Sequence, residues 1–189
     1  FRSYKARDKK LDRIVALKQL PANTDVNSET AKRLFIEAKS VAKLNHINIV
    51  NVFDVGDNAD ELYISMEYVE GKTLTDIIKS EKYVFDANYT RNIAAQICAA
   101  LEFAHQHNII HRDIKPDNVM ITFNNCVKIM DFGLAKQANE NVSMTQEGIA
   151  MGTAQYMSPE QIRGEDIDNR TDIYAFGCLF FEMITGAPP

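Results

Sequence analysis

The sequence predicts an α+β protein in which a small, strand-rich first part with one helix precedes a mainly helical second part. Up to about residue 70, apolar residues fall in short runs rich in β-branched side chains, such as IVALKQL at 14–20, which is typical of strands. From about residue 90 they recur at helical spacing. At 172–185 apolar residues would occupy nearly every face of a helix, which indicates that this helix is fully buried.

The first part reads as strand, helix and strand pair. After the strand at 14–20, apolar residues three and four positions apart predict a helix from Glu29 to Leu44, with Asn27 or Ser28 as its N-cap. Two apolar runs follow, IVNVFDVG and ELYISMEYV, and DNAD between them predicts a hairpin turn. This part therefore forms a small sheet with one helix.

The second part begins with a helix that ends near His107, because Ile93, Ile97, Leu101 and Ala104 share one helical face. Two short strand candidates follow it and have charged loops at their ends. They span Val119 to Thr122 and Cys126 to Met130.

Composition excludes some classes of protein. The 189 residues suffice for one domain or two small lobes, and a net charge of −5 argues against nucleic acid as a partner. The densest apolar run, Tyr174 to Phe181, is too short to cross a bilayer. The three cysteines read as free thiols in a reducing cytosol or, equally, as small core residues: Cys98, Cys126 and Cys178.

Two charged residues fall on predicted inward faces. Lys18 shares its strand face with Ala16 and Leu20, and Glu37 lies on the apolar stripe of the first helix. Each would be costly if buried alone, so their opposite charges favour a pair. Alternatively, Lys18 extends to solvent and Glu37 merely borders the stripe. These two residues alone leave both interpretations open.

Charge is also concentrated at HRDIKPDN, residues 111–118, between apolar runs, and at IMDFGLAK further along. Asp113, Asn118 and Asp131 would supply hard oxygen ligands and a base at the ends of neighbouring strands, as Mg²⁺ prefers. Lys115 beside a carboxylate suits an anionic transferred group. The assembly therefore suggests phosphoryl transfer.

Five motifs in order resemble the protein-kinase signature set: VALK at 15–18, Glu37, HRDIKPDN, DFG at 131–133 and SPE at 158–160. The stretches GTAQYMSPEQIRG and TDIYAFGCLFFEMITGAPP look like a bacterial eukaryotic-like (Hanks-type) serine/threonine kinase. The resemblance spans the whole chain. It implies a bilobal fold with an N-lobe at 1–66, a hinge at 67–70 and a C-lobe at 71–189.

The resemblance also implies a fold truncated at both ends. Phe1 stands where the last glycine of the phosphate-covering loop belongs, so the glycine-rich loop is missing, and the chain stops before the last C-lobe helices. One missing helix supplies an arginine partner for Glu160, which Arg163 or Arg170 could replace. We expect these 189 residues alone to be weakly active or inactive.

The resemblance assigns roles to the charged residues. Asp113 should orient the substrate hydroxyl or accept its proton, and Lys115 should contact the γ-phosphate. Lys18, paired to Glu37, should hold the α- and β-phosphates. Thr153 should bond Asp113 and shape the substrate site. Two further residues should hold Mg²⁺, with Mn²⁺ as an alternative: Asn118 and Asp131.

The adenine site is implied in the same way. Met66 should back the pocket, the Glu67 carbonyl and the Val69 amide should bond the base, and Ala16 and Met120 should enclose its ring. Among the histidines, His111 should pack in a stack that rests on Asp172. The stack should also contain Val41, Val52 and Phe132, while His46, His105 and His107 read as turn or helix-end residues.

The segment between Asp131 and Glu160 contains candidate sites for regulation by phosphorylation. A phosphate on Thr145, the main activating site, or on Ser143, a second site, could pair with Arg112 and order the loop. The alternative is that both hydroxyls are ordinary loop residues.

The resemblance implies a catalytic domain that transfers the ATP γ-phosphate to protein Ser/Thr hydroxyls. A kinase homodimer is expected for trans-autophosphorylation. The domain should be cytoplasmic, alone or as part of a larger membrane-anchored protein. The main alternative is an inactive nucleotide-binding or interaction module, since the glycine-rich loop and C-terminal helices are lacking. An unrelated metal- and nucleotide-binding domain is disfavoured by the order of the motifs.

Overall fold

A computed structural model describes residues 2–20, 29–58, 61–80, 86–132 and 153–189. Two antiparallel sheets and five helices make up this part of the chain, and the predicted α+β architecture is confirmed. The strands are β1 (Arg2–Asp8), β2 (Arg13–Gln19), β3 (Val52–Asn58), β4 (Glu61–Glu67), β5 (Gly71–Thr73), β6 (Val119–Thr122) and β7 (Val127–Ile129). The helices are α1 (Glu29–Val41), α2 (Leu74–Ile78), α3 (Ala87–Gln106), α4 (Pro159–Arg163) and α5 (Arg170–Thr185).

The first sheet has the order β1-β2-β4-β3. Strands β2, β3 and β4 match the predicted runs, whereas β1 was not predicted because RSYKARD has no apolar alternation. As an edge strand, β1 needs no apolar face and pairs with β2 along its whole length. The connecting turn is closed by Asp8, whose carboxylate accepts hydrogen bonds from the Lys10 and Leu11 N–H groups.

Helix α1 lies against β3 and begins at Glu29 as predicted, but it ends at Val41 rather than Leu44. Ala31 and Ala38 are fully buried where the helix meets the sheet, because small side chains allow close approach. The predicted N-cap residues and the last two residues of the DNAD turn lie outside the described residues.

The segment between α1 and β3 joins the first sheet to the second part of the chain. Val50 N–H donates to the Ile129 carbonyl at 2.9 Å, and Ile129 N–H donates to the Asn48 carbonyl at 2.8 Å. The buried Asn48 amide also donates to Gln96 of α3 and to the Val127 carbonyl, each at 2.9 Å. This network holds the loop, α3 and β7 together.

The second sheet has the order β5-β6-β7. Its first strand, β5, begins four residues after the end of β4. Gly71 pairs with Thr122 so closely that a Cβ at position 71 would lie 2.3 Å from the Ile121 carbonyl oxygen. Only glycine fits this approach. Through this pairing, the strand that follows β4 in the chain lies beside β6.

Helix α5 corrects one prediction. Thr171, Asp172, Ala175, Cys178, Leu179 and Met183 are buried, but the opposite face is exposed in the described part of the chain. The helix was expected to be fully buried because it is apolar nearly all round. Packing against α3 and against the turn at 153–156 covers only one side. The exposed large side chains are Ile173, Tyr174, Phe181 and Ile184.

Two further sequence features can be compared with the fold. Cys98, Cys126 and Cys178 are all free thiols, and Cys178 is buried as a small core residue. Among the described helices, none combines the length and the apolar character that crossing a membrane requires.

Candidate active site

The backbone turn before Asp113 is held by one buried carboxylate. Asp172, on the first turn of α5, accepts hydrogen bonds from the backbone N–H of His111 and of Arg112, both at 2.8 Å. Arg112 has a φ of +68°, in the left-handed region that is unfavourable for a residue with a Cβ. The turn is therefore maintained by contacts from outside its own segment.

Asp172 has a third partner, His105, whose Nε2 donates to Oδ2 at 2.7 Å. Burial alone would raise the pKa of Asp172. The hydrogen bond from His105, with His111 and the two backbone N–H groups, outweighs burial and holds that pKa below its usual value. His105 is therefore more than the helix-end residue expected from the sequence. The missed contact joins residues 67 positions apart, which no local pattern reveals.

His111 is a packing residue, as the sequence resemblance implied. Its ring is fully buried and lies 4.5 Å, centroid to centroid, from the Phe132 ring. The Asp113 N–H donates to Nδ1 at 3.2 Å, so Nε2 bears the ring proton and donates to the Met130 carbonyl at 2.8 Å. The ring links the segment before Asp113 to the segment before Asp131.

Two of the predicted site residues, Lys115 and Asn118, contact Asp113. The Lys115 ammonium lies 2.9 Å from Oδ2. The Asn118 amide nitrogen donates to the Asp113 carbonyl at 2.7 Å and to Oδ2 at 3.0 Å. Both bonds use the nitrogen of the buried Asn118 amide. Its oxygen takes no part in them and could bind a cation.

Asp131 lies beside this group, since the Met130 N–H donates to the Asn118 carbonyl at 2.9 Å. Its backbone φ is +60°, and its Oδ1 lies 2.8 Å from the Lys18 ammonium. Asn118 and Asp131, on segments joined by this backbone bond, would offer one amide oxygen and one carboxylate to a cation. This donor set suits Mg²⁺ or Mn²⁺, which take few protein ligands beside phosphate.

Glu37 on α1 faces Arg112, with 3.7 Å between Oε1 and the guanidinium. Lys18 and Glu37 therefore each have an ion-pair partner other than the one expected from the sequence. The direct pair between Lys18 and Glu37 stays a prediction.

A cavity of about 570 Å³ lies between the first sheet and β6. All five residues that the resemblance assigned to the adenine base line it, namely Ala16, Met66, Glu67, Val69 and Met120. Sequence reasoning missed other lining residues, among them Phe123, which is 80% exposed and belongs to no motif.

The Glu67 side chain fixes the strand end that borders this cavity. Its carboxylate lies 2.6 Å from the Lys128 ammonium of β7 and accepts from the Asn51 N–H and side-chain amide at 3.2 Å. The end of β4 is thereby attached to β7. The backbone edge available to a bound base has a defined position.

Glu160, at the start of α4, accepts a hydrogen bond from the Thr171 hydroxyl at 2.8 Å. Its own backbone N–H and that hydroxyl hold its pKa below the usual value. Arg163 and Arg170, the possible substitute partners, form ion pairs with Glu165 and Asp168, although the charge of Glu160, after that of Asp168, also raises the pKa of Arg170. The Thr171 hydroxyl therefore provides one of the contacts to the Glu160 carboxylate that the resemblance assigned to an arginine.

The turn before α4 contributes one more contact. Thr153 begins a short 3-10 helix that ends at Tyr156. The Tyr156 hydroxyl donates to the Glu182 carboxylate of α5; burial first, and then this carboxylate, raise the pKa of Tyr156 above its usual value. Ser143 and Thr145 lie outside the described residues.

Comparison with known proteins agrees with these findings. The family model of the protein kinase domain matches residues 2–189. The chain is 47% identical to the serine/threonine-protein kinase PknB of Mycolicibacterium smegmatis over 189 residues, which is 97% of this chain and 30% of the relative. It is 46% identical over 186 residues to a probable serine/threonine-protein kinase of Clostridium perfringens, covering 98% of this chain and 27% of that protein.

A probable serine/threonine-protein kinase of Streptomyces coelicolor is 44% identical over 191 residues, covering 98% of this chain and 28% of its own. The chain thus spans about 30% of the length of the curated relatives it matches. The family model covers every described residue, including those that line the cavity and those around Asp113. The chain belongs to the protein kinase family and, within it, to the bacterial serine/threonine kinases of the Hanks type.

Proposed function

We propose that this chain is the catalytic domain of a kinase that transfers the γ-phosphoryl group of ATP to serine and threonine hydroxyls of proteins. One observation carries the proposal. The Asp113 carboxylate, with Lys115 and Asn118 in contact with it, lies next to the Lys18–Asp131 pair. An acidic group that can take a proton and two ammonium groups that can neutralise phosphate thus occupy one cleft.

Asp113 orients the attacking hydroxyl and receives its proton. The hydroxyl oxygen forms a bond to the γ-phosphorus while the bond from that phosphorus to the β–γ bridging oxygen breaks, and ADP leaves. Lys115 stands 2.9 Å from Asp113, where its charge stabilises the transferred group. Asn118 and Asp131 would hold a divalent cation, Mg²⁺ or Mn²⁺, which neutralises phosphate charge when bound.

Lys18 contributes the second positive charge. Its ammonium is buried and contacts Asp131 at 2.8 Å. Binding of the α- and β-phosphates beside Asp131 gives this ammonium an anionic partner of higher charge. The adenine base occupies the cavity that Ala16 and Met120 border, with the backbone of Glu67 and Val69 at its edge.

The decisive experiment replaces Asp113 by Asn in the natural full-length protein. Phosphate transfer should fall by about a hundredfold or more, because Asn cannot accept the proton. ATP affinity, measured by calorimetry, should stay near that of the unchanged protein. The matched control is Asp117→Asn, four residues further along and exposed, which should keep its activity.

Each result has one meaning. Equal transfer by the Asp113→Asn variant contradicts the assignment of Asp113. ATP binding without transfer by the unchanged protein supports the alternative of an inactive nucleotide-binding module. Absence of both contradicts the proposed function.

Regulation by phosphorylation belongs to the same proposal. Thr145 is the main activating site and Ser143 the second, with Arg112 as the cationic partner of the phosphate. Two copies of the domain phosphorylate each other, and the reaction takes place in the cytoplasm. If Thr145→Ala leaves both activity and phosphate content of the full-length protein unchanged, Thr145 has no such role.

A further inference from the structure

Gln161 of α4 contacts the turn before Asp113 at a backbone carbonyl, whereas Asp172 contacts it at backbone N–H groups. Its side-chain nitrogen donates to the Arg112 carbonyl at 2.9 Å, and its oxygen accepts from the Ser158 N–H at 3.1 Å. Only 8% of Gln161 is exposed, so water cannot readily replace its side chain in the bonds to Arg112 and Ser158. No sequence motif discussed above assigns it a role.

The chemistry of this contact demands an amide. The Ser158 N–H can only donate and the Arg112 carbonyl can only accept, so the side chain between them must offer one acceptor and one donor. Glutamate would place a second acceptor against the Arg112 carbonyl. Methionine would offer neither bond, leaving two polar groups without a partner in a buried place.

Gln161 completes the support of a strained turn. Arg112, with φ at +68°, has its N–H held by Asp172 and its carbonyl held by Gln161. Both backbone polar groups of this residue are thus fixed from outside, by α5 and α4. The next residue along the chain is Asp113, whose carboxylate direction follows from the conformation at Arg112.

We infer that Gln161 is a positioning residue for phosphoryl transfer, acting through the Arg112 carbonyl to orient Asp113. This inference rests on the proposed function for its catalytic consequence. Displacing a reacting group by about 1 Å can cost about a hundredfold in rate, so a single bond at this turn has a measurable effect. Gln161 itself contacts no reacting atom.

The key variant is Gln161→Glu in the natural full-length protein. It keeps the acceptor for the Ser158 N–H, and with it the cap of α4, but removes the donor to Arg112. Ser158→Ala provides the structural control, because it leaves the Gln161 side chain in place but removes the Ser158 hydroxyl, which accepts from the Gln161 backbone N–H at 3.4 Å and contacts the Thr171 hydroxyl at 3.1 Å. Gln106→Glu, on an exposed side chain at the end of α3, controls for the added charge.

Two readouts separate positioning from simple stability. For Gln161→Glu, kcat should fall about tenfold to a hundredfold while the KM for ATP stays within about twofold. Amide hydrogen exchange at Arg112 and Asp113 should become about tenfold faster. Ser158→Ala should lower the melting temperature yet keep kcat and this exchange close to those of the unchanged protein.

Two results would overturn the inference. Unchanged exchange at Arg112 and Asp113 in Gln161→Glu would show that the bond does not hold the turn, whatever the activity. An equal loss of kcat in Ser158→Ala would show that Gln161 acts only through the stability of α4. Failure of the proposed function is separate, since it appears in the unchanged protein and in Asp113→Asn.

Discussion

The turn before Asp113 and the cleft that faces it are both held by charged side chains, but in different ways. At the turn, the fully buried Asp172 receives three hydrogen bonds of 2.7–2.8 Å, two of them from backbone N–H groups. In the cleft, Lys18 and Asp131 form an ion pair whose side chains are partly exposed. The turn is thus held by buried contacts, whereas the proposed function requires the cleft contacts to be exchanged for phosphate and cation.

The strongest way to break this comparison is to remove the buried carboxylate. Asp172→Ala should lower the free energy of unfolding by about 3 to 5 kcal/mol, because buried N–H groups and His105 lose their acceptor. Asp172→Asn retains one acceptor oxygen and should lose less. Denaturant unfolding measures both.

Asp166→Asn is the control for that experiment, since Asp166 is an exposed aspartate in the segment before the same helix. It should leave the unfolding midpoint nearly unchanged. If Asp172→Ala proved as stable as this control, the turn would not depend on Asp172.

A second test sharpens the difference between support and exchangeable contact. The side chains of Lys18 and Lys128 are 11% and 13% exposed, and they form ion pairs with Asp131 and Glu67. Replacing either by Met should cost about 1 to 2 kcal/mol of stability, between the values for exposed and buried pairs. Only Lys18→Met should lose phosphate transfer, by about a hundredfold.

Steady-state kinetics and unfolding curves on both variants check this prediction. Lys128→Met should at most change the KM for ATP, because Glu67 borders the adenine cavity. Equal loss of kcat in the two variants would mean that Lys18 has a structural role only.

The smallest effect concerns Tyr156. Tyr156→Phe removes the donor to Glu182 and should cost about 1 to 2 kcal/mol at neutral pH. The raised pKa of Tyr156 means that its stabilisation is fully present below the unfolded pKa near 10 and is lost as pH rises above it. Stability of the unchanged protein should therefore fall more steeply above pH 10 than that of the variant.

Unfolding midpoints between pH 7 and 11 measure this difference. Tyr4→Phe, on an exposed tyrosine of β1, is the control and should retain the alkaline loss. Parallel curves for the unchanged protein and Tyr156→Phe would contradict the assignment of the hydroxyl bond.

The sequence predicts the parts of this fold that have a periodic pattern or a conspicuous charge. Strands β2 to β4 and helices α3 and α5 follow from apolar spacing. Asp113, Asn118 and Asp131 are conspicuous as charged or polar residues beside core-like runs. The strand β1 has neither signal, because an edge strand is stabilised by pairing with β2 rather than by its own side chains.

Residues that act through distant contacts could not be predicted. His105 and Gln161 reach partners 67 and 49 positions away, so only the tertiary fold gives them a role. The contact between Lys18 and Asp131 was likewise not predicted, while the predicted pair between Lys18 and Glu37 stays a prediction. A charge pair in a cleft depends on which anions are present there, whereas a pattern of residue types shows only that a partner is needed.

The close approach at Gly71 limits how this family member can be redesigned. Any side chain there must push β5 away from β6, and β6 contains Met120, which lines the cavity proposed to bind adenine. Because Gly71 also lines this cavity, a change at position 71 would alter the cavity wall both directly and through β6.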